Sequence, residues 1–547
     1  MNGTKLIPKL FETLKGYTKQ QFINDLISGI IVAIIALPLS IALALASGVK
    51  PEQGLYTAIV AGFVISFLGG STVQIAGPTA AFATIVAGIV ATSGIEGLAI
   101  ATVMAGIMLI LMGVFKLGSL IRFIPCTITT GFTSGIAVTI LIGQIKDFFG
   151  LTFTHSPVET MEKVTEVVKC IGTFNWQAAL IGLLALAILI IMPKFFKKVP
   201  PSLIAIIVCA AVVKLGNLNV NTIGDLYQIS SSLPPFTMPH ITLGTVRQLL
   251  PDAFTIAILA GIESLLSCVV ADGMTGNRHN SNMELVAQGA GNICSALFGG
   301  IPATGAIART AANIKNGGRT PVAGMVHAIV LLGVLVIFMP YASLIPMPAI
   351  AAILFVVAYN MSEWRQFISI IDFAPKSDTL VLITTFVLTV VFDLVVAICI
   401  GLLLAVILFM KRMSEVTTVE GWSYIEEDTD ANQNIGLKKV PKGVFVYEIT
   451  GPVFFGVSDK LSGLILDAHC KVVIIRMKSV PAIDATGILA FKSLIKLCKK
   501  KGITLILSHL NEQPAKAVEK SGLTDIIGAD NLCANIDEAL ERAKSII

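Results

Sequence analysis

Two ionisable side chains lie deep in apolar stretches of this chain, and their chemistry is that of ion handling. Glu263 sits within the run 253–267, about two helical turns from either aqueous end. A charge at the centre of a membrane span costs roughly 2.5–3.5 kcal/mol on insertion scales, and residues that bear such a cost are as a rule functional. A carboxyl placed there can take up and release a proton. Ser267, one turn later on the same face, can share that proton or help hold a cation. The competing role for Glu263 is structural: a permanently protonated group hydrogen-bonded between helices. Arg309 lies about two turns into the apolar segment that opens near Thr304. Three roles are open to it: binding an anion, pairing with Glu263, or snorkelling towards the cytoplasmic end of a short span.

Backbone donors extend this chemistry. Ser71-Thr72-Val73-Gln74-Ile75-Ala76 is β-branched and runs into Gly77-Pro78, which suits an extended strand better than a helix. The chain then continues as helix through Thr79, Ala80, Ala81 and Phe82. A helix that starts inside the membrane presents unpaired N–H groups and the positive end of its dipole, which together make an anion site. A second segment, Ile301-Pro302-Ala303-Thr304-Gly305-Ala306-Ile307-Ala308-Arg309-Thr310, lines up with the first at the proline and is equally rich in small residues. Either motif alone reads more simply as a packing kink. In matched positions of two halves, they predict two half-helices whose N-termini face each other across a central cavity.

Membrane spans must position these segments. A bilayer core about 30 Å thick needs roughly 20 helical residues. Between Ile27 and Phe115 the only charges are Lys50, Glu52 and Glu96, each at a turn between apolar runs. Continuing in this way predicts spans near 25–47, 54–69, 78–92, 97–114, 122–142, 175–192 and 202–215. A second set follows near 253–271, 284–299, 304–315, 321–338, 344–359, 378–393 and 396–410. With the N-terminus inside, fourteen crossings place most lysines and arginines on the cytoplasmic face, including Lys194, Lys197, Lys198, Lys411 and Arg412. Both termini are then cytoplasmic. Two halves of seven spans, about 25–215 and 253–411, insert with opposite orientation, which is an inverted repeat. The remaining charges read as interfacial (Asp272, Glu284, Lys315, Arg319) or as a cap at the turn bearing Asp393. His327 reads as a satisfied packing residue.

Composition agrees and excludes other classes. The chain has 547 residues, 55% hydrophobic and 13% charged, against about 25% charged in soluble domains. Residues 441–547 hold 25 of the 73 charged side chains, so a soluble domain follows a membrane body. A net charge of +5 gives no nucleic-acid signature, and nine scattered cysteines show no metal-ligand or disulfide spacing. No nucleophile–base pair or phosphate loop is evident, so neither an enzyme nor a cofactor is expected. The chain divides into a cytoplasmic segment 1–24, a transport domain 25–411, a linker 412–440 and a domain 441–547. In the last, strand patterns at 444–449, 472–477 and 504–508 alternate with amphipathic stretches 458–469, 485–501 and 513–522, which predicts a small sheet covered by helices.

Several motifs now carry a family resemblance: Gly54-Leu55-Tyr56, Gly69-Gly70-Ser71, Gly77-Pro78-Thr79-Ala80-Ala81-Phe82, Ile124-Pro125, Gly131-Phe132-Thr133-Ser134-Gly135-Ile136, Gln144-Ile145-Lys146-Asp147, Ala271-Asp272-Gly273-Met274-Thr275-Gly276 and Ala308-Arg309-Thr310-Ala311-Ala312-Asn313. In this order they resemble the SulP (sulfate permease) anion transporters, and residues 441–547 resemble the STAS domain that ends them. The resemblance implies a homodimer in the cell (inner) membrane, each protomer holding a core of spans 1–4 and 8–11 that rocks against a gate. It implies an anion held between the third and tenth spans, at Pro78, Thr79, Ala80, Ala81 and Phe82 and at Gly305, Ala306, Ile307, Ala308 and Arg309. Glu263, with Ser267, takes the cation-coupling position. Glu263, Arg309, Pro38-Leu39 and Asn360-Met361-Ser362-Glu363 look most like bacterial proton-coupled C4-dicarboxylate members. The expected activity is proton-coupled uptake of a C4-dicarboxylate or sulfate; sodium-coupled bicarbonate transport and an uncoupled exchanger or channel are the alternatives. In related STAS proteins a phosphorylatable serine follows the loop aspartate; here Ala485 follows Asp484.

Overall fold

The computed structural model describes residues 6–119, 125–155, 157, 159–195, 200–392, 394–425, 439–454 and 470–547. The chain forms two compact units, Met1–Leu403 and Leu404–Ile547.

In lipid a helix satisfies its own backbone, and a helix lies on each of the fourteen predicted segments. The first half contributes α1 (Lys19–Ala46), α2 (Pro51–Leu68), α3 (Ala80–Val114), α4 (Cys126–Phe148), α5 (Trp176–Phe195) and α6 (Pro201–Leu215). The second contributes α7 (Leu243–Thr275), α8 (Ser281–Leu297), α9 (Ile307–Lys315), α10 (Val322–Phe338), α11 (Met347–Met361), α12 (Lys376–Val391) and α13 (Leu394–Val416). Among the described residues, nine helices are long and apolar enough to cross a membrane. The third and fourth predicted spans are one helix, α3, broken at Gly94, whose φ of 70° favours glycine. Asp393 lies outside the described residues.

The helices sort into two packed sets. α1, α2, α3, α7, α8, α9 and α10 pack on one another, and α4 packs with α11 and α12 while α5 joins α11 to α6. Within the first set α3 packs along α8, where glycines let the backbones approach closely. A methyl on Gly106 would lie 2.6 Å from the Gly289 carbonyl oxygen, and one on Gly113 2.5 Å from that of Asn282. Gly106→Leu is therefore expected to destabilise the protein by about 1–3 kcal/mol or more through overpacking, read as a lower melting temperature in detergent. Gly88→Leu, where nothing lies within 4 Å, is the matched control and is expected to be neutral.

Two dipeptides complete the first unit. β1 (Ala76–Gly77) pairs antiparallel with β2 (Thr304–Gly305), with Ala76 opposite Gly305 and Gly77 opposite Thr304.

The second unit is a five-stranded sheet in the order β3 (Thr418–Ile425), β4 (Val440–Thr450), β5 (Val472–Ser479), β6 (Thr504–Ser508), β7 (Leu532–Cys533). β3 and β4 are antiparallel; the other pairs are parallel. Alternate residues build two cores. Val473, Ile475 and Leu507 pack under α14 (Ala485–Lys500) with α15 (Glu512–Lys520) nearby, and Val472, Ile474 and Ile506 pack under α16 (Ile536–Ile546). The three predicted strands and the helices expected at 485–501 and 513–522 are thus present, while the stretch 458–469 lies outside the described residues. The expected linker 412–440 needs correction: α13 runs to Val416, and β3 extends the sheet through Thr418–Ile425. Glu420 and Gly421 interrupt its apolar alternation, as an edge strand allows, so the pattern does not read as strand. Asp484 caps α14 by accepting from the Gly487 N–H at 2.7 Å, and Thr486 is half-buried.

Candidate functional site

Antiparallel pairing of β1 with β2 dictates the geometry of the site. The chains leave the ribbon in opposite directions, so α3 begins at Ala80 on one side and α9 at Ile307 on the other. Neither helix start receives a side-chain cap: the N-cap residues are Thr79 and Ala306. Two sets of unpaired N–H groups, each at a positive dipole end, therefore flank one short ribbon. This is the predicted pair of opposed half-helices. The alignment at Pro78 and Pro302 is corrected by four residues, however. The ribbon equates Ala76-Gly77 with Thr304-Gly305, because the second segment stays extended past its proline.

α7 holds the ribbon. Thr304 Oγ1 donates to the Ala260 carbonyl at 3.0 Å and shares a 2.7 Å hydrogen bond with Ser264 Oγ, which also accepts the Gly305 N–H at 3.0 Å. From α8, Asn292 clamps both backbone groups of Ala303, at 2.8 and 2.9 Å. The two half-helices are tied directly, since Ala306 N–H donates to the Ile75 carbonyl at 2.8 Å and Ile75 N–H to Thr310 Oγ1 at 3.0 Å.

Glu263 is half-buried, one residue before Ser264, and so on the same turn that grips the ribbon. Thr79 Oγ1 donates to Glu263 Oε2 at 3.0 Å. The N-cap hydroxyl is thus turned towards Glu263, and it accepts no hydrogen bond from the N–H groups at the start of α3 among the described residues. Ser267, one turn on from Glu263 in α7, is buried, and its hydroxyl donates to Thr310 Oγ1 at 3.4 Å.

Arg309 is 3% exposed and lies in the first turn of α9, not two turns in, because the helix begins at Ile307. Its Nη2 donates back across the ribbon to the Pro78 carbonyl at 3.2 Å and to Ser40 Oγ at 3.4 Å. This direction opposes snorkelling, and the Glu263 hydrogen bond goes to Thr79, not to Arg309. A methyl on Gly77 would lie 2.5 Å from Arg309 Nη1, so glycine there makes room for the guanidinium. Gly77→Ala is expected to raise the KM for anion uptake about ten-fold in protein that still folds, consistent with an overpacking cost of ~1–3 kcal/mol. An unchanged KM in reconstituted vesicles would show that the guanidinium is not held there.

Of the ten expected anion contacts, Pro78, Thr79, Ala80 and Ala81 gather at the start of α3, and Gly305, Ala306, Ile307, Ala308 and Arg309 at the start of α9. Ile307 and Ala308 are exposed, whereas the Phe82 side chain is fully buried in the core and its N–H donates to the Thr79 carbonyl at 3.3 Å. Ser40, Ser264, Asn292 and Thr310 escape the sequence reading. Ser264 and Asn292 carry a signal in being polar groups inside apolar runs.

Two readings are corrected. Glu284, expected at an interface, is fully buried and accepts the N–H groups of Gly70 at 2.9 Å and Ser71 at 3.2 Å, plus the Gln288 amide at 2.9 Å. These donors are freed where α2 ends and the chain turns extended, so a carboxylate is needed inside the protein. His327 packs as expected but is not satisfied: neither ring nitrogen has a partner among the described residues.

The sulfate permease family profile matches residues 22–385 and the STAS domain profile residues 437–539. The "Putative sulfate transporter YvdB" of Bacillus subtilis (strain 168) is 42% identical over 96% of this chain and 98% of its own. The bicarbonate transporter BicA of Synechocystis is 31% identical over 95% and 94%. The transmembrane domain of a cyanobacterial BicA superposes with a TM-score of 0.63 at 31% identity, covering 70% of this chain and 98% of that one. Murine Slc26a9 superposes with a TM-score of 0.88 over 99% and 94% at 18% identity, which speaks to the fold. The chain is thus a multi-pass membrane protein that belongs to the sulfate permease family of anion transporters and ends in a STAS domain.

Proposed function

We propose that this protein is a secondary transporter that takes up a small oxyanion, sulfate or a C4-dicarboxylate, with protons. The observation that carries the reading is the ribbon site: two helix starts without side-chain caps, the Arg309 guanidinium reaching back from one to Pro78 beside the other, and a carboxyl, Glu263, that accepts from the N-cap threonine of α3. Backbone N–H groups and one arginine suit a carboxylate or sulfate oxygen. Protonation of Glu263 would change its bond to Thr79 and hence the donors offered to the anion, which links the two ions at one place.

Coupling to protons is favoured over sodium by the surroundings of Glu263. Its one hydrogen-bond partner among the described residues is the Thr79 hydroxyl, which suits a carboxyl that takes up and releases a proton. Anion contacts at Pro78–Phe82 and Gly305–Arg309 belong to the same proposal, as does a homodimer in the cell membrane, both supported by the family resemblance; cytoplasmic termini belong to it too, supported by the lysine and arginine distribution over fourteen crossings. A second reading is sodium-coupled bicarbonate uptake: similarity to a bicarbonate transporter along nearly the whole chain favours the anion, and sodium enters only as the alternative coupling ion. Uptake of labelled sulfate, succinate and bicarbonate into proteoliposomes, with and without sodium and with an internal pH dye, separates the two. Acidification linked to sulfate or succinate uptake is expected. Bicarbonate uptake that needs sodium, with no uptake of the other two, would overturn the proposal.

A further inference from the structure

On the α2 side of the ribbon, three buried groups have polar atoms without a hydrogen-bond partner among the described residues: Arg309 through Nη1, His327 of α10 through both ring nitrogens, and Ser66 of α2 through Oγ. They are 3%, 0% and 4% exposed. They are also in sequence along one line. Ala58, Gly62 and Ser66 recur every fourth residue on α2, roughly 6 Å apart per step. A methyl on Gly77 would meet Arg309 Nη1 at 2.5 Å and the Ala58 Cβ at 3.6 Å. A methyl on Gly62 would lie 3.2 Å from the Ala76 carbonyl oxygen and 3.9 Å from His327 Nδ1, and one on Gly324, a turn before His327, 3.0 Å from Ser66 Cβ. The three polar groups thus follow one another along a seam between β1, α2 and α10, from the back of the site to the last turn of α2.

A buried donor or acceptor left unmade costs about 1–3 kcal/mol, and protein interiors satisfy such groups through protein atoms or ordered water. A buried water makes about three hydrogen bonds, which suits a row of polar groups too far apart to bond directly. We propose that this seam holds a row of ordered waters, and that through them His327 acts as a positioning residue for Arg309. A neutral imidazole offers one acceptor and one donor. Its acceptor nitrogen takes a hydrogen bond from a water that itself accepts from Arg309 Nη1, and its N–H continues the row towards Ser66. Arg309 is then held from both sides, by Pro78 and Ser40 through Nη2 and by the seam through Nη1, with its charge fixed beside the two helix starts. This inference rests on Arg309 serving the anion.

The test uses the full-length protein in proteoliposomes with whichever of labelled sulfate, succinate or bicarbonate the wild type takes up. His327→Leu is expected to raise KM about ten-fold with Vmax within about two-fold, the loss of one water-mediated bond to a charged group. His327→Gln, which keeps a donor and an acceptor, is expected to remain within about three-fold of wild type. In an Arg309→Ala background His327→Leu should add nothing. A cryo-EM map fine enough to show water should place peaks within hydrogen-bond distance of Arg309 Nη1 and His327. An unchanged KM in His327→Leu, a His327→Gln as impaired as the leucine variant, or a map with ordered waters elsewhere and none in the seam would each overturn the proposal. If His327→Leu does not fold, the map and His327→Gln decide it. If Arg309→Ala keeps a normal KM, the assignment of Arg309 to the anion fails, and water peaks in the seam would then stand apart from it.

Discussion

Glu263→Gln is expected to abolish proton movement linked to anion uptake while the anion still binds and exchanges. Glutamine matches the shape of the carboxyl and keeps an oxygen to accept from Thr79 Oγ1, which sits 3.0 Å from Glu263 Oε2. The start of α3 should therefore keep its open geometry, and the anion its N–H donors. What glutamine cannot do is give up a proton. Uptake driven by a pH gradient should fall to the level of protein-free vesicles, and counterflow of labelled anion should stay within a few-fold of wild type. Glu263→Ala differs in a useful way: it removes the acceptor, frees the Thr79 hydroxyl to cap α3, and should weaken anion binding as well. A Glu263→Gln protein that still acidifies the vesicle lumen during uptake would refute proton coupling at this residue.

The parts of this site legible in the sequence are those set by composition and by backbone-breaking residues. Apolar run lengths located all fourteen helical segments, and Gly77-Pro78 after a β-branched stretch predicted an extended segment entering a helix, as β1 and α3 are. The second half-helix is less legible. Pro302 invited an alignment with Pro78, but the chain stays extended through Thr304-Gly305, held by Asn292 and Ser264, whose contacts lie 11 and 41 residues away. Local sequence holds no trace of such partners. That error of four residues is also what placed Arg309 two turns into a helix instead of in its first turn. The same limit explains Glu284, whose burial depends on where α2 ends in space, and β3, whose apolar alternation is too weak without its neighbour β4. In physical terms, span lengths and helix breaks are written locally, whereas hydrogen-bond acceptors for broken backbone are recruited from anywhere in the fold.

Arg309→Ala is expected to raise the KM for the anion by about 10–100-fold, the equivalent of one or two charge-assisted hydrogen bonds at ~1.5–3 kcal/mol. Arg309→Lys should recover only part of this, since an ammonium keeps the charge but cannot reproduce the planar fork that reaches Pro78 and Ser40 together. The pairing with Gly77 makes the assignment sharper than a single substitution can. Gly77→Ala harms the wild type by crowding Nη1, so in Arg309→Ala, where that atom is gone, the added methyl should cost nothing further. Additive effects in the double variant would mean that Gly77 and Arg309 act separately. Stability should move in the opposite direction to transport. A buried arginine with one arm lacking a partner among the described residues is a burden on the fold, and replacing buried charge by an apolar side chain of similar volume is often neutral or stabilising. Arg309→Met is therefore expected to melt at or above the wild-type temperature in detergent while losing high-affinity uptake. A variant that lost both together would place Arg309 in the architecture of the ribbon, and one that lost stability alone would remove it from the site.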